Sequence, residues 1–377
     1  NSSLLHLHGL SSLSSIGYAC HIENNDQLDD LIGFSAITEV PGFFDIENND
    51  GLLSLQGLEN LSFVGEYFTM EENSSLVSLS GLEELDTVGG LYLINCPIGN
   101  LSPLSSLETV NGPVLISFLP ITEMTGLDAL THLESLVLSN LNMLTSLGTG
   151  LLGIDSVSGN VWITQNPLLQ NMMGLDSLRF IGGNLQIQHN QVLESLNGLE
   201  QLVDVAGDLQ IADLQMMNSF QGLNALEHIG GYLSVQMFDT GGAALIDFTG
   251  FDALQDIGGT FYLENVFELT SFNGLQSLER IEGDFIVVEA GDLIDYNELV
   301  SLSHIGGVLR VWNNFYLSDI SMAVLDTIGN GIDFKNNSSC MHLKGFDALS
   351  YVGGPIYIKD NIALDSISGF NNLLLID

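Results

Sequence analysis

Basic residues are what this chain most lacks: six Lys and Arg stand against 47 Asp and Glu, a formal net charge of −41 over 377 residues. Phosphate backbones and anionic membrane surfaces would be repelled, so nucleic acid is excluded as a partner while cations and cationic surfaces are favoured. Such an acidic excess keeps a protein soluble in high salt, where screening shortens self-repulsion to a few ångströms, and it points to a saline, extracellular or cell-surface setting. Long apolar runs are also missing. No stretch approaches the ~18 apolar residues of a membrane span, so this segment offers no direct membrane insertion. No positively charged, apolar-centred leader precedes Asn1, so any signal peptide is expected to have been removed or to lie outside this stretch. Cysteine is scarce too, with only Cys20, Cys96 and Cys340.

What the chain has in abundance is repetition. Ile, Val or Leu followed by a glycine pair, or a remnant of one, recurs at Ile16, Val40, Val64, Val88, Val110, Leu133, Val157, Ile181, Val205, Ile229, Ile257, Ile281, Ile305, Ile328, Val352 and Ile376. Most of these steps are 24 residues and the others lie between 22 and 28. Gly174 to His189 shows the unit: GLDSLRFIGGNLQIQH, in which GL-x-x-L precedes the anchor, two glycines and an alternating L-x-I. Alternation marks a strand with one buried face, so positions +4 and +6 from each anchor should point inward. The glycine pair is expected where a Cβ would obstruct either a positive φ or a neighbouring coil. GL-x-x-L reads as a second short edge, a 3₁₀ turn or a brief strand. Asparagine recurs at +9 (Asn25, Asn49, Asn73, Asn166, Asn190, Asn314, Asn337, Asn361), where its tolerance of left-handed backbone and its hydrogen bonds should build a corner ladder.

These features predict an all-β, right-handed parallel β-helix, a leucine-rich-repeat solenoid of about sixteen coils, running through residues 1–377 as one continuous domain. With strands about 4.8 Å apart the coils would extend over roughly 70 Å. The longer step from Ile229 to Ile257 suggests a small loop at Gly241 and Gly242, and the turn at Leu133 lacks its glycines. Neither end carries a polar cap, so the chain is expected to be a fragment of a longer protein or to use open ends for stacking.

The motif L-x-S-L-x-GL-x-x-L-x-x-IGG-x-L-x-I-x-x-N, as in LESLNGLEQLVDVAGDLQI and LTSFNGLQSLERIEGDFIV, resembles the receptor L-domain superfamily. That superfamily includes the ligand-binding L domains of insulin-receptor-like ectodomains, fungal wall proteins of the Ecm33 type and microbial surface leucine-rich repeat proteins. The resemblance covers essentially the whole chain and implies export with a binding or structural role. The cysteine-rich modules that flank receptor L domains are lacking, which favours a microbial or algal surface protein over a growth-factor receptor.

Several groups of residues are candidates for function. An outward +5 row would place Leu93, Leu115, Leu138 and Trp162 in an apolar strip, with Tyr262 further on, and exposed strips of this kind often mark partner surfaces unless a loop covers them. Arg310, Lys335 and Lys359, half of all the basic residues, fall on the same face beside Trp312 and Tyr357, where the acidic surface of a second copy, another surface protein or a glycan would dock. A carboxylate row, Glu59, Glu83, Asp128, Asp176, Glu200, Asp252 and Asp347, sits five residues before its anchors. Such groups either cap short turns or, where Glu59 and Glu83 or Asp176 and Glu200 stack, bind Ca²⁺ weakly. No EF-hand or RTX motif supports calcium, and no other cofactor is indicated.

His132, His228 and His304 share the −1 position in non-adjacent turns and should not converge on a metal. Cys20 and Cys96 would lie about 14 Å apart, beyond disulfide reach, so no intrachain bridge is expected. Cys20 reads as a small core residue, and Cys96 or Cys340 as available to bridge to another chain. Sequons occur at Asn1, Asn60, Asn73, Asn100, Asn336 and Asn337, two of them within the asparagine row. No nucleophile-elbow signature and too few cations to stabilise developing charge argue against a catalytic site, a β-helix carbohydrate enzyme included. The sequence therefore reads as a non-enzymatic extracellular structural or adhesive protein, self-assembling into a surface layer or filament. The alternative is a module recognising a protein or glycan through its outer face.

Overall fold

The structure is a computed structural model that describes residues 1, 3–237 and 245–376. It contains two compact units, Asn1–Leu178 and Arg179–Asp377, each a parallel β-solenoid. The first stacks the strands Cys20–Glu23, Phe44–Glu47, Phe63–Glu71, Thr87–Ile94, Pro113–Ser117, Ser135–Ser139 and Val161–Thr164, each paired parallel with the next. The second stacks Leu185–Gln188, Leu209–Ala212, Leu233–Gln236, Phe261–Glu264, Phe285–Val288, Val308–Trp312, Gly331–Lys335 and Ile356–Lys359 in the same way. The described strands make about fifteen turns at the 24-residue spacing that the repeat predicts. Among the described residues the only helical turns are the short 3₁₀ segments His8–Leu10, Ile32–Phe34 and Ser102–Leu104.

Strand alternation places the +4 and +6 residues inside, as Leu185 and Ile187 or Leu309 and Val311 illustrate. Most of the anchors are themselves strand residues. In the second unit Phe180–Ile181, Asp204–Val205, His228–Ile229, Asp256–Ile257 and their successors stack as a second, narrow parallel sheet. The second edge is therefore at the anchor, and GL-x-x-L forms tight turns whose leucines, such as Leu58 and Leu61, are fully buried. In the middle of the second unit Phe220, Phe248, Phe261, Phe272 and Phe285 replace aliphatic residues and pack as a continuous aromatic column.

Glycine works by two separate means. The glycine of GL holds positive φ, +112° at Gly57, and a side chain there would also meet the Leu31 backbone. The glycine pairs after the anchors are required by close approach alone: a Cβ on Gly258 would lie 2.2 Å from the carbonyl oxygen of Gly230 in the preceding coil. The insertion that contains Gly241 and Gly242 lies outside the described residues.

The asparagine row is a buried ladder, although its asparagines are not the left-handed residues. Positive φ belongs to the residue before each one, Asn24, Asn48, Glu72, Asn313, Asn336 and Asp360 among them. The following asparagine turns its amide inward. Asn49 Nδ2 donates to the carbonyls of Ile22 and Glu47, both at 2.9 Å, and its Oδ1 accepts the Asn25 backbone N–H at 3.2 Å. In the second unit the Asn314 N–H donates to Asn337 Oδ1 at 3.0 Å, and the Asn337 N–H to Asn361 Oδ1 at 2.8 Å. Each amide thus satisfies backbone groups that a bend would otherwise bury unpaired.

Candidate functional site

The outward faces of the long strands are the surfaces left open by this fold. One residue fewer between anchor and strand moves the whole strand to the other face, since side chains alternate with period two. This happens after Val88 and after Leu133. Leu93 and Leu138, expected outside, are fully buried, and Tyr92 and Val137 take the outward places. Cross-strand register then aligns Thr69 with Tyr92, Tyr92 with Leu115, Leu115 with Val137 and Val137 with Trp162. An apolar strip does exist in the first unit, and Trp162 remains 38% exposed, so no loop covers it. Tyr67 joins the strip through a strand irregularity that stacks its ring on Tyr92 at 5.1 Å. Further along the same face the strip gives way to carboxylates, with Glu23, Glu47 and Glu71 in register. Burial, its largest influence, raises the Glu47 carboxyl pKa above the usual range.

In the second unit the expected basic residues do share one face. Arg310 and Trp312 lie opposite Asp333 and Lys335, which lie opposite Tyr357 and Lys359. The Arg310 guanidinium sits 4.8 Å from the centroid of the Trp312 ring, and Lys335 Nζ sits 5.6 Å from it, so the indole is flanked by two cations. Arg310 Nε lies 3.7 Å from Asp333 Oδ2, beyond hydrogen-bond range, and among the described residues neither it nor Trp312 Nε1 has a hydrogen-bond partner. Lys359 extends to solvent with Asp360 at 3.7 Å. The other basic side chains with ion partners are spent locally, Arg280 on Glu282 and Lys344 on Asp319, both at 2.7 Å.

Earlier on this face Tyr262 donates to Glu264 at 2.7 Å. Burial first and that carboxylate second push its phenol pKa up to about 12. A groove of about 610 Å³ runs beside it, floored by the Gly230–Gly231 and Gly258–Gly259 pairs and flanked by Tyr232, Tyr262 and Asp208.

The carboxylate row has a backbone role. Glu59 accepts the Gly57 N–H at 2.9 Å, Glu83 that of Gly81 at 2.8 Å, Asp176 that of Gly174 at 2.7 Å and Glu200 that of Gly198 at 2.8 Å. Gln276 makes the same bond to Gly274 without any charge, so the row is explained by holding the positive-φ glycine. Among the described residues, neither Glu59 nor Glu83 belongs to a cluster of three potential ligands within reach of one ion.

Two histidine–carboxylate clusters do exist where sequence reading placed none: His6 and His8 with Asp30, and His21 with Asp45 and Glu47. The signal was available in the repeat register, because Asp30 lies 24 residues after His6, and Asp45 lies 24 after His21. His228 and His304 pair separately with Asp256 and Glu282. The cysteines are free. Cys96 and Cys340 are buried and so are not available to bridge to another chain, while Cys20 is partly exposed. Cys96 occupies the ladder position next to Asn73, whose amide points at its sulfur. Among the sequons, Asn1, Asn60 and Asn100 are exposed and Asn336 is half-buried. Asn73 and Asn337 are fully buried ladder residues, so a glycan on either would break the corner.

No protein-family model matches this chain, and no curated protein matches it. Among solved structures, it is similar to a leucine-rich repeat protein from Bacteroides ovatus at 12% identity, over 96% of this chain and 88% of that one, with a TM-score of 0.28. At that score the fold assignment rests on the strand pairing itself.

Proposed function

We propose that this is a non-enzymatic, extracellular repeat protein of structural or adhesive type, which attaches through the open outer faces of its strands and associates with further copies of itself. The observation that carries this reading is the Arg310–Trp312–Lys335 cluster. On a chain with six basic residues, two cations flank one indole on an uncovered sheet face, and Tyr357 and Lys359 extend that face. Acidic surface is the complement of such a patch, and a chain of charge −41 offers it everywhere else.

Light scattering across protein concentration and salt tests this. The expected result is self-association that weakens as salt rises and is lost in a variant combining Arg310→Glu, Lys335→Glu and Lys359→Glu. A monomer under all conditions, or association untouched by the triple change, would refute it.

A second reading, recognition of a glycan, is favoured by the groove between Tyr232 and Tyr262, where a sugar ring would have aromatic faces and the Asp208 carboxylate within reach. Glycan binding that survives Tyr262→Ala unchanged would count against it.

A further inference from the structure

The first two coils assemble a group of side chains that neither the solenoid nor the binding face requires. His6 and His8 flank Leu7 at the start of the 3₁₀ turn His8–Leu10, and their rings stack in parallel at 4.6 Å with an interplanar angle of 7°. In the next coil the Asp29 N–H donates to the Leu5 carbonyl at 3.2 Å, which brings the Asp29–Asp30 pair alongside. Asp30 Oδ2 then lies 3.2 Å from His8 Nε2 and 3.9 Å from His6 Nδ1. The other Asp30 oxygen accepts the Ile32 backbone N–H at 2.9 Å, which fixes the carboxylate with Oδ2 facing the imidazoles. Asp29 Oδ1 is 2.8 Å from His6 Nδ1.

We propose that His6, His8 and Asp30 bind a divalent transition-metal ion of the zinc class. Tetrahedral zinc holds nitrogen and oxygen donors at about 2.0–2.1 Å, so its ligand atoms stand roughly 3.3 Å from one another. The two separations at Asp30 Oδ2 bracket that edge, so small side-chain rotations complete the set. Asp29 or water takes the fourth position. Two imidazoles with a carboxylate suit zinc and its neighbours, whereas calcium requires six to eight oxygens. The Ile32 N–H bond is the kind of outer-shell support that fixes a ligating carboxylate. The surrounding negative field concentrates cations at such a site.

The location gives the ion a structural consequence. None of the described residues before Ile22 is buried, and Leu4, Leu7, Leu13 and Ile16 are only partly covered. An ion held by residues 6, 8 and 30 would cross-link one coil to the next.

The test is titration calorimetry of metal-free protein with zinc chloride, in parallel on wild type, His8→Ala, Asp30→Asn, His21→Ala and His228→Ala. One saturable equivalent is expected in wild type, His21→Ala and His228→Ala, weakened at least about tenfold in His8→Ala and Asp30→Asn. Cobalt substitution should give the visible bands of a four-coordinate nitrogen–oxygen site. Zinc should also slow proteolysis within residues 3–19 of wild type and not of His8→Ala, and circular dichroism checks that each variant is folded. Absence of saturable binding, binding indifferent to His8→Ala, or binding removed by His21→Ala alone would overturn the assignment. None of these outcomes bears on the Trp312 face, which lies in the other unit.

Discussion

A buried asparagine is costly unless its amide is fully used, and here its use is what makes the corner possible. Asn49 supplies two donors and one acceptor to backbone groups of its own and the preceding coil, all within the buried bend. Asn49→Ala removes all three bonds and leaves buried carbonyl and N–H groups unpaired, each costing about 1–3 kcal/mol. A total loss of at least about 3 kcal/mol is expected, read as a lower urea midpoint at unchanged slope. A change below about 0.5 kcal/mol would mean that water replaces the amide. The position tolerates apolar side chains in other coils, as Leu141 shows, and Leu141 still gives its N–H to Asn166 Oδ1. The ladder is therefore a relation between neighbouring coils, and an isolated repeat does not display it. Sequence periodicity located these asparagines, and it assigned the left-handed backbone to them when it belongs one residue earlier.

At the scale of the element, the anchor-to-strand link decides both stacking and facing. The glycine pairs allow backbones to approach more closely than any side chain permits, so Gly258→Ala should destabilise by about 1–3 kcal/mol, because the obstructing atom is the fixed Gly230 carbonyl. Gly17→Ala, where an added Cβ would meet nothing within 4 Å, serves as the control and should leave the thermal midpoint unchanged. Equal effects at both positions would show that chain entropy rather than close approach is at work. The same link explains the misplacement of Leu93 and Leu138. Their repeats are one residue short before the strand, and a constant offset from the anchor therefore selects the wrong face. The leucines themselves carry no mark of this, since an apolar residue is acceptable on either face of a pattern. The outward Arg310, Trp312, Lys335 and Tyr357 were legible because their repeats keep the regular offset.

For the molecule as a whole, charge is the dominant variable. A net charge of −41 opposes compaction at low ionic strength, and the six cations relieve little of it. Raising sodium chloride from 0.01 to 1 M, where the screening length falls from roughly 30 to 3 Å, should raise the thermal midpoint by several degrees. A midpoint that stays flat or falls would show that specific ion pairs matter more than self-repulsion. The charge, the 24-residue period, the parallel coils and the absence of a disulfide followed from the sequence alone, because each depends on composition or on side-chain spacing along the chain. Tertiary structure alone decided that His8 joins His6 beside Asp30, which leucines turn inward and which sequons are buried. Those properties depend on the register of one coil against the next. A single residue gained or lost in a turn resets that register without disturbing the repeat.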